Sequence, residues 1–207
     1  MNQESRNQRQ AGKQFAAKDR TQGNSYKLRA AIAVLASMIL FGTSAAVSAQ
    51  AKVPSEYEMK AAFLFHFAQF VEWPQTAFKN VNSPLVYCTV GDDPFQGVLE
   101  TTFKGKTIGT HSLQVKHFKR ISEVQGCHVV FLGKPTEMSI LEELASLKGS
   151  PVLTVGESNQ FVDDDGMIGF RLEGSKVRFE INLDSAEKGH LKISAKLLAV
   201  AKRVIVG

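Results

Sequence analysis

The chain has 207 residues, with 25 Lys or Arg, 20 Asp or Glu, two cysteines and a formal net charge of +5. Seven of the basic and two of the acidic residues lie in residues 1–49, so residues 50–207 carry 18 of each (25 − 7 and 20 − 2) and no net charge. Nucleic-acid binding, which needs a basic face on the folded domain, is therefore not indicated. The length after residue 49 suits one domain with a full hydrophobic core.

Residues 1–49 are predicted to be a signal peptide with a polar N-terminal extension. Two basic residues precede a short apolar run, Ala30–Phe41, and Val47-Ser48-Ala49 fits the small-x-small pattern of a signal peptidase site. The run is shorter than the ~20 residues that span a bilayer, although an uncleaved anchor is the alternative. The residue directly after the cleavage point is Gln50 and not a cysteine, so a lipoprotein is not indicated. We expect cleavage near Ala49 and an exported protein comprising residues 50–207.

The first element of the exported part is a predicted helix over residues 56–73. Ser55 and Glu58 have the spacing of a capping box, and Pro74 is expected to end the helix. Plotted at 100° per residue, most of its apolar side chains share one half, which predicts a core face. Lys60 falls within that half, where its stem can extend to solvent.

The same helix carries two aromatic residues that the core face does not explain. Phe65 and Trp73 fall on the polar half of the wheel, beside Glu58, Gln69 and Glu72. Large aromatics among polar neighbours favour a partner-binding spot. The alternative is that a neighbouring loop or a dimer mate covers them.

The elements that follow alternate between short apolar strands and helices. The predicted strands lie at 84–90, 111–118, 128–133, 151–156, 167–173 and 176–183, and the predicted helices at 95–103, 135–147 and 190–206. Continuous apolar strands between helices predict a mostly parallel central sheet with helices on both faces. The last two strands read as an antiparallel hairpin, followed by an amphipathic helix. The fold class is therefore a single α/β domain.

Three acidic residues directly follow predicted strands. Asp92 and Asp93 come after strand 84–90, and Glu157 comes after strand 151–156. Because open α/β sheets bind ligands at the carboxyl ends of their strands, these residues are candidates for a ligand pocket. A phosphoacceptor site is not indicated, since strand 128–133 ends without an aspartate. The alternative role of Asp92 and Asp93 is to cap the helix that begins near Pro94.

No motif with a catalytic mechanism is present, so we predict a protein that is not an enzyme and has no cofactor. The five histidines are scattered, without metal-ligand spacing. The acidic run at residues 163–166 lacks the alternate spacing of a calcium loop and indicates a solvated turn.

The two cysteines, Cys88 and Cys127, both lie in the exported part. An even count in an exported chain indicates a disulfide, and two buried free thiols are the alternative. Parallel neighbouring strands would need a stagger to bring the two Cα atoms close enough.

Three stretches together carry a family resemblance: KAAFLFHFAQFVEWP from residue 60, VLTVGESNQFVDDDGMIGFRLEGSKVRFEIN from residue 152, and LKISAKLLAVAKRV from residue 191. They are similar to the YfiR family of periplasmic proteins, from about Tyr57 to Val204. VYCTVGDDPF and CHVVFLG also resemble the surroundings of that family's cysteine pair, which supports the disulfide.

The resemblance implies a periplasmic regulator that represses a membrane-anchored diguanylate cyclase of the inner membrane by binding its periplasmic part. Release, often through an outer-membrane lipoprotein, would raise cyclic di-GMP and favour biofilm. The family fold often dimerises, so a homodimer is compatible with it. Better-known members carry a second cysteine pair that this chain lacks. The alternative function is a periplasmic small-ligand sensor or binding protein without a cyclase partner.

Overall fold

The computed structural model describes residues 53–133 and 137–207, so the predicted signal peptide lies outside the described residues. The helices are α1 Glu56–Gln69, α2 Val98–Phe103, α3 Glu137–Leu147, α4 Leu183–Lys188 and α5 Ala195–Leu198. The strands are β1 Val71–Glu72, β2 Leu85–Val90, β3 Thr107–Ile108, β4 His111–Phe118, β5 Val129–Leu132, β6 Leu153–Gly156, β7 Ile168–Glu173, β8 Lys176–Asn182, β9 Lys192–Ile193 and β10 Arg203–Ile205. Two 3₁₀ turns lie at Gln75–Ala77 and Ile121–Glu123.

Eight strands form one sheet in the order β10-β8-β7-β6-β5-β2-β4-β3. Pairing is parallel throughout except between β7 and β8 and between β3 and β4. This confirms the predicted α/β class and the predicted hairpin. From β2 the chain moves through α2 to β4 on one side, then returns to β5 on the other. A topological switch point therefore lies between β2 and β5, where α/β sheets bind ligands.

Each face of the sheet is covered by its own apolar cluster, because successive strand residues point to opposite sides. On one face, Tyr87 and Phe131 of the sheet pack with Leu64 and Phe67 of α1. On the other, Cys88 and Val130 belong to a second cluster with Ile140 of α3 and Phe161. Helices thus lie on both faces, as predicted.

Helix α1 is shorter than the sequence pattern indicates. The capping box of Ser55 and Glu58 is present as predicted, but the helix ends at Gln69 and does not reach Trp73. Val71 and Glu72 instead pair antiparallel with β9. The reason is tertiary: β9, about 120 residues later in the chain, offers backbone hydrogen bonds that the helical pattern does not reveal.

The closing helix is also much shorter than predicted. Helix α5 has four residues, and the rest of residues 190–206 forms β9, a turn and β10. Strand β10, which contains the β-branched Val204 and Ile205, pairs parallel with β8. Its backbone therefore supplies the hydrogen-bond partners that the edge of β8 would otherwise lack. A short apolar run that fits a helical wheel also fits an edge strand, and the open edge of β8 decides between them.

The start of one further helix differs from prediction, and the start of another is not tested. Helix α2 begins at Val98 and not near Phe95, after Gln96 and Gly97 adopt left-handed backbone conformations with φ of 50° and 87°. Helix α3 is found at Glu137–Leu147, and the first two positions predicted for it lie outside the described residues.

Candidate functional site

A cleft of about 320 Å³ opens at the carboxyl ends of β2, β5 and β6, beside the switch point. Its lining residues are Tyr57, Val90, Gly91, Asp92, Pro94, Gly133, Glu143 and Glu157. The loop after β2, the loop after β6, and helices α1 and α3 all contribute to it. Of the predicted pocket residues, the cleft brings together Asp92 and Glu157, which are far apart in the chain.

Glu157 is held at the inner end of the cleft by two side chains of helix α1. The ammonium of Lys60 contacts one of its carboxylate oxygens, and the Tyr57 hydroxyl donates to the carboxylate at 3.3 Å. The side chains of Lys60 and Glu157 are each only 4% exposed. Lys60 also contacts Glu56 one turn earlier and lies 4.5 Å above the Tyr57 ring. Lys60 therefore does not extend to solvent but forms a buried ion pair.

The pKa values of this group follow from burial and pairing. Burial alone would lower the pKa of Lys60, but hydrogen bonds to Glu157 and Glu56 outweigh it and raise that pKa above 10.5. Burial and the charge of Glu157 raise the pKa of Tyr57 above 10.0. Both side chains therefore keep their protons at neutral pH and stabilise the Glu157 carboxylate.

Glu143 and Asp92 form the outer part of the cleft. Burial raises the pKa of Glu143 above 4.5, and no ion pair or hydrogen bond of its carboxylate is found within residues 53–133 and 137–207. Asp92 has the Lys119 ammonium at 3.9 Å. Glu157 is already paired with the buried Lys60, and Asp92 is fully exposed beside Lys119. Among the described residues, Glu143 is therefore the cleft carboxylate left to attract a cation.

The third predicted pocket residue is directed elsewhere. Asp93 accepts a hydrogen bond from the Phe95 amide at 3.0 Å and has a His117 nitrogen at 3.7 Å. It stabilises the turn before α2 and does not line the cleft, and the prediction that Asp92 and Asp93 cap that helix is wrong, since Gly97 precedes it. Sequence reasoning missed Tyr57, Lys60 and Glu143. A lysine on the core half of a helix was the available signal, because a buried ammonium requires a buried acid.

The two aromatic residues predicted for partner binding are both half-buried. The Phe65 ring packs at 6.3 Å from Phe103, and the Lys106 ammonium lies 4.7 Å from its centroid. Its helix neighbours Ala62, His66 and Gln69 are exposed. Phe65 is therefore the aromatic edge of an otherwise polar outer surface on α1.

Trp73 lies beyond the end of α1, next to residues 74–83, which connect β1 to β2. Its ring meets that of Phe78 edge-on at 6.5 Å. Its indole nitrogen is buried, and no hydrogen-bond partner for it is found in the described part of the chain. Phe65 and Trp73 therefore have different environments, one beside α2 and the other beside residues 74–83.

Cys88 and Cys127 form the predicted disulfide, with Cα atoms 6.0 Å apart. In the parallel register Cys88 lies opposite Val130, so Cys127 is three positions before it. Gly126, with φ of 68°, bends the chain ahead of β5. The stagger that the sequence required comes from this bend, because Cys127 precedes the strand and is not part of it.

Neither a metal centre nor a membrane span emerges from the described residues. Within residues 53–133 and 137–207, no three His, Cys, Asp or Glu side chains are grouped so that they could bind a metal ion. None of the helices described there combines the length and apolar character needed to cross a bilayer.

The YfiR/HmsC-like family matches this chain over residues 57–202. Among solved structures, the chain is similar to a conserved domain protein from Vibrio cholerae O1 biovar eltor str. N16961, with 12% identity and a TM-score of 0.46. It is also similar to an ABC domain in complex with L-Trp from Streptococcus pneumonia, with 10% identity and a TM-score of 0.46. The alignments cover 73% and 72% of this chain, which spans 60% of the length of each of those chains. Similarity at this level bears on neither function nor ligand.

Proposed function

The chain belongs to the YfiR/HmsC-like family, and from this membership we propose that it represses a membrane-anchored diguanylate cyclase by binding the cyclase's periplasmic region. The match over residues 57–202 carries the proposal, because it includes nearly all of the described domain. The family is periplasmic and regulatory. Repression would keep cyclic di-GMP low and limit biofilm formation, and an outer-membrane lipoprotein would relieve it.

The outer surface of α1 is the contact surface we propose for the cyclase. Phe65 is a half-buried aromatic with exposed small and polar neighbours, Ala62, His66 and Gln69. Interfaces concentrate their binding energy on such aromatic anchors inside a polar rim. Trp73 belongs to the same proposal as a second anchor.

Deletion of the gene, with cyclic di-GMP measured in the extract, tests the repressor role. We expect cyclic di-GMP to rise on deletion and to return to its original level on complementation. An unchanged level, with the cyclase present and expressed, would reject the role.

Single substitutions test the surface. Phe65→Ala and Trp73→Ala should fold and be exported but should restore repression poorly. Leu172→Ala is the matched control, because Leu172 is an apolar residue of β7 outside α1 and is 54% exposed. Full repression by a folded Phe65→Ala protein would remove Phe65 from the proposed surface.

The cleft supports a second candidate function, the sensing of a small organic cation. The supporting observation is that Asp92, Glu143 and Glu157 line one cavity of about 320 Å³ at the switch point. The Glu143 carboxylate, which has no partner among the described residues, is the group we expect to meet the cation. A bound cation would change the balance between Glu157 and Lys60 and so couple the cleft to α1.

Thermal unfolding in the presence of short aliphatic amines tests this second function. Butylamine should raise the melting temperature, butyrate at the same concentration should not, and Glu143→Gln should remove the difference. Equal effects of the amine and the carboxylate would reject a cation site.

A further inference from the structure

Residues 74–83 lie against the sheet as a strap between β1 and β2. The Phe78 ring in the strap is stacked between two histidine rings, at 4.0 Å from His111 and 4.3 Å from His128. His111 is the first residue of β4, and His128 directly precedes β5. Two rings, one at the start of β4 and one directly before β5, therefore stack on one side chain of the strap.

Both histidines also bind the strap backbone. His128 Nε2 lies 3.1 Å from the Ala77 carbonyl, and His111 Nδ1 lies 2.6 Å from the Ser83 carbonyl. The Thr110 hydroxyl donates to the Val81 carbonyl at 2.7 Å. The strap is thus held by side chains at the beginnings of β4 and β5 and not by strand pairing.

The contacts of His128 allow only its neutral form. Its Nδ1 accepts a hydrogen bond from the Val86 amide at 3.1 Å, so this nitrogen carries no proton. Its Nε2 must then carry the proton and donate to Ala77. A second proton would place an N–H at Nδ1 directly against the Val86 N–H, and that hydrogen bond would be lost. His128 is 7% exposed, so water cannot readily take over the lost hydrogen bond of the Val86 amide.

His111 responds differently to a proton. Its Nδ1 already donates to Ser83, so protonation at Nε2 leaves that hydrogen bond intact. A charged imidazole over the Phe78 ring is also favourable. Protonation of His111 alone is therefore compatible with the closed strap.

The charged groups around His128 are few. The strap contributes Lys79, which is exposed, β4 contributes His111, and β2, β5 and β6 contribute no charged side chain at this end of the sheet. Burial lowers the pKa of His128 below 6.5, the hydrogen bond to Ala77 opposes this, and the charge of His111 lowers the pKa further.

We propose that the strap is an acid-released clasp. Protonation of His128 breaks its hydrogen bond to the Val86 amide and displaces the Phe78 ring from between the two histidine rings. Residues 74–83 then detach from the sheet, together with the Trp73 ring that contacts Phe78. The clasp does not depend on the identity of any partner. Only its consequence for repression, through Trp73, rests on the proposed function.

The chain contains a single tryptophan, so fluorescence of the purified protein reports on Trp73 alone. On acidification we expect a red shift of the Trp73 emission with a midpoint below 6.5. The imidazole signals of His128 in NMR spectra should titrate with the same midpoint, while the disulfide and the far-UV circular dichroism stay intact. Emission that stays constant until the whole domain unfolds would overturn the clasp, as would a shift that occurs while His128 remains neutral.

Three substitutions distinguish the role of His128 from that of His111. His128→Asn places an amide oxygen near the position of Nδ1, where it can accept from Val86 without titrating, so the emission shift should disappear. His111→Gln removes one stacked ring but leaves the contact between His128 Nδ1 and the Val86 amide, so an acid-induced shift should remain. His66→Gln, on the exposed face of α1, is the control and should leave the transition unchanged.

A shift retained in a folded His128→Asn protein would reject the assignment. If that variant does not fold, the NMR titration of the unsubstituted protein decides alone. Loss of the proposed repressor role would leave the transition in place, so the two ideas fail separately.

Discussion

Substitution of Lys60 by methionine is the strongest test of how α1 is attached to the domain. The change removes one partner of an ion pair whose two side chains are each 4% exposed. Glu157 would then be buried with only the weak hydrogen bond from Tyr57, at 3.3 Å. Loss of one partner from a buried pair costs about 3–5 kcal/mol, because the remaining charge is left without compensation.

For a domain of this size, 1 kcal/mol corresponds to a melting-temperature change of roughly 2–4 °C. The expected loss is therefore about 6 to 20 °C by calorimetry or circular dichroism. Glu56→Gln is the matched control, because Glu56 contacts the same ammonium but is 38% exposed. Glu56 is the solvent-facing partner of this i, i+4 pair, and Glu157 still neutralises Lys60 in the control. A loss of about 0.3–0.5 kcal/mol is therefore expected, which changes the melting temperature by about a degree or two.

A double-mutant cycle completes the test. Lys60→Met combined with Glu157→Gln should lose much less than the sum of the two single losses, because the second change removes the unpaired charge. If Lys60→Met costs under about 1 kcal/mol, or if the two losses simply add, the pair does not hold α1 to the loop after β6.

Three further outcomes follow from other parts of the fold. Gly156→Ala should destabilise the domain by about 1–3 kcal/mol in urea unfolding, because the new Cβ would overlap the Phe161 ring. Gly133→Ala is the control and should have little effect, because its new Cβ would meet nothing closer than 3.7 Å. Alkylation mass spectrometry should find no free thiol in the oxidised protein, and joint replacement of both cysteines by alanine should cost about 4 kcal/mol from loop entropy across 39 residues; two labelled cysteines would contradict the bridge. Burial alone would raise the pKa of Glu180, but hydrogen bonds from Arg203 and Arg171 outweigh it and lower that pKa below 4.5. The stability that the Glu180 carboxylate contributes is therefore present above pH 4.5 and is lost as the pH falls through the lowered value. Arg203→Met should flatten this acid limb of the stability profile, and an unchanged slope would contradict the assignment.

The fold class was predictable because its signals are local. Short apolar runs such as residues 85–90 and 129–132 are buried on both faces and can be recognised without knowing their neighbours. The capping box at Ser55 depends on residues three positions apart, and the structure contains it. The hairpin of β7 and β8 is likewise a contact between adjacent segments.

The candidate site was predictable only as a location. The carboxyl ends of β2 and β6 follow from the sheet order, and Asp92 and Glu157 lie in one cleft there. Asp93 is not among the residues that line the cleft. The sequence could not separate it from Asp92, because the two have the same residue type and only the turn geometry distinguishes them. Tyr57 and Glu143 were missed because nothing in α1 or α3 marks which loop they face.

By itself the sequence determined the alternation of strands and helices, the two cysteines available for a bridge, and a helix unusually rich in aromatic residues. Only the tertiary structure decided that Lys60 pairs with Glu157 across 97 residues and that residues 203–205 complete the sheet edge beside β8. It also decided that Phe78 lies between two histidines that are 17 residues apart in the chain, His111 and His128. The physical reason is common to all three: a buried charge, an open strand edge and an aromatic ring each require a partner, and the chain fixes that partner only when distant segments come together.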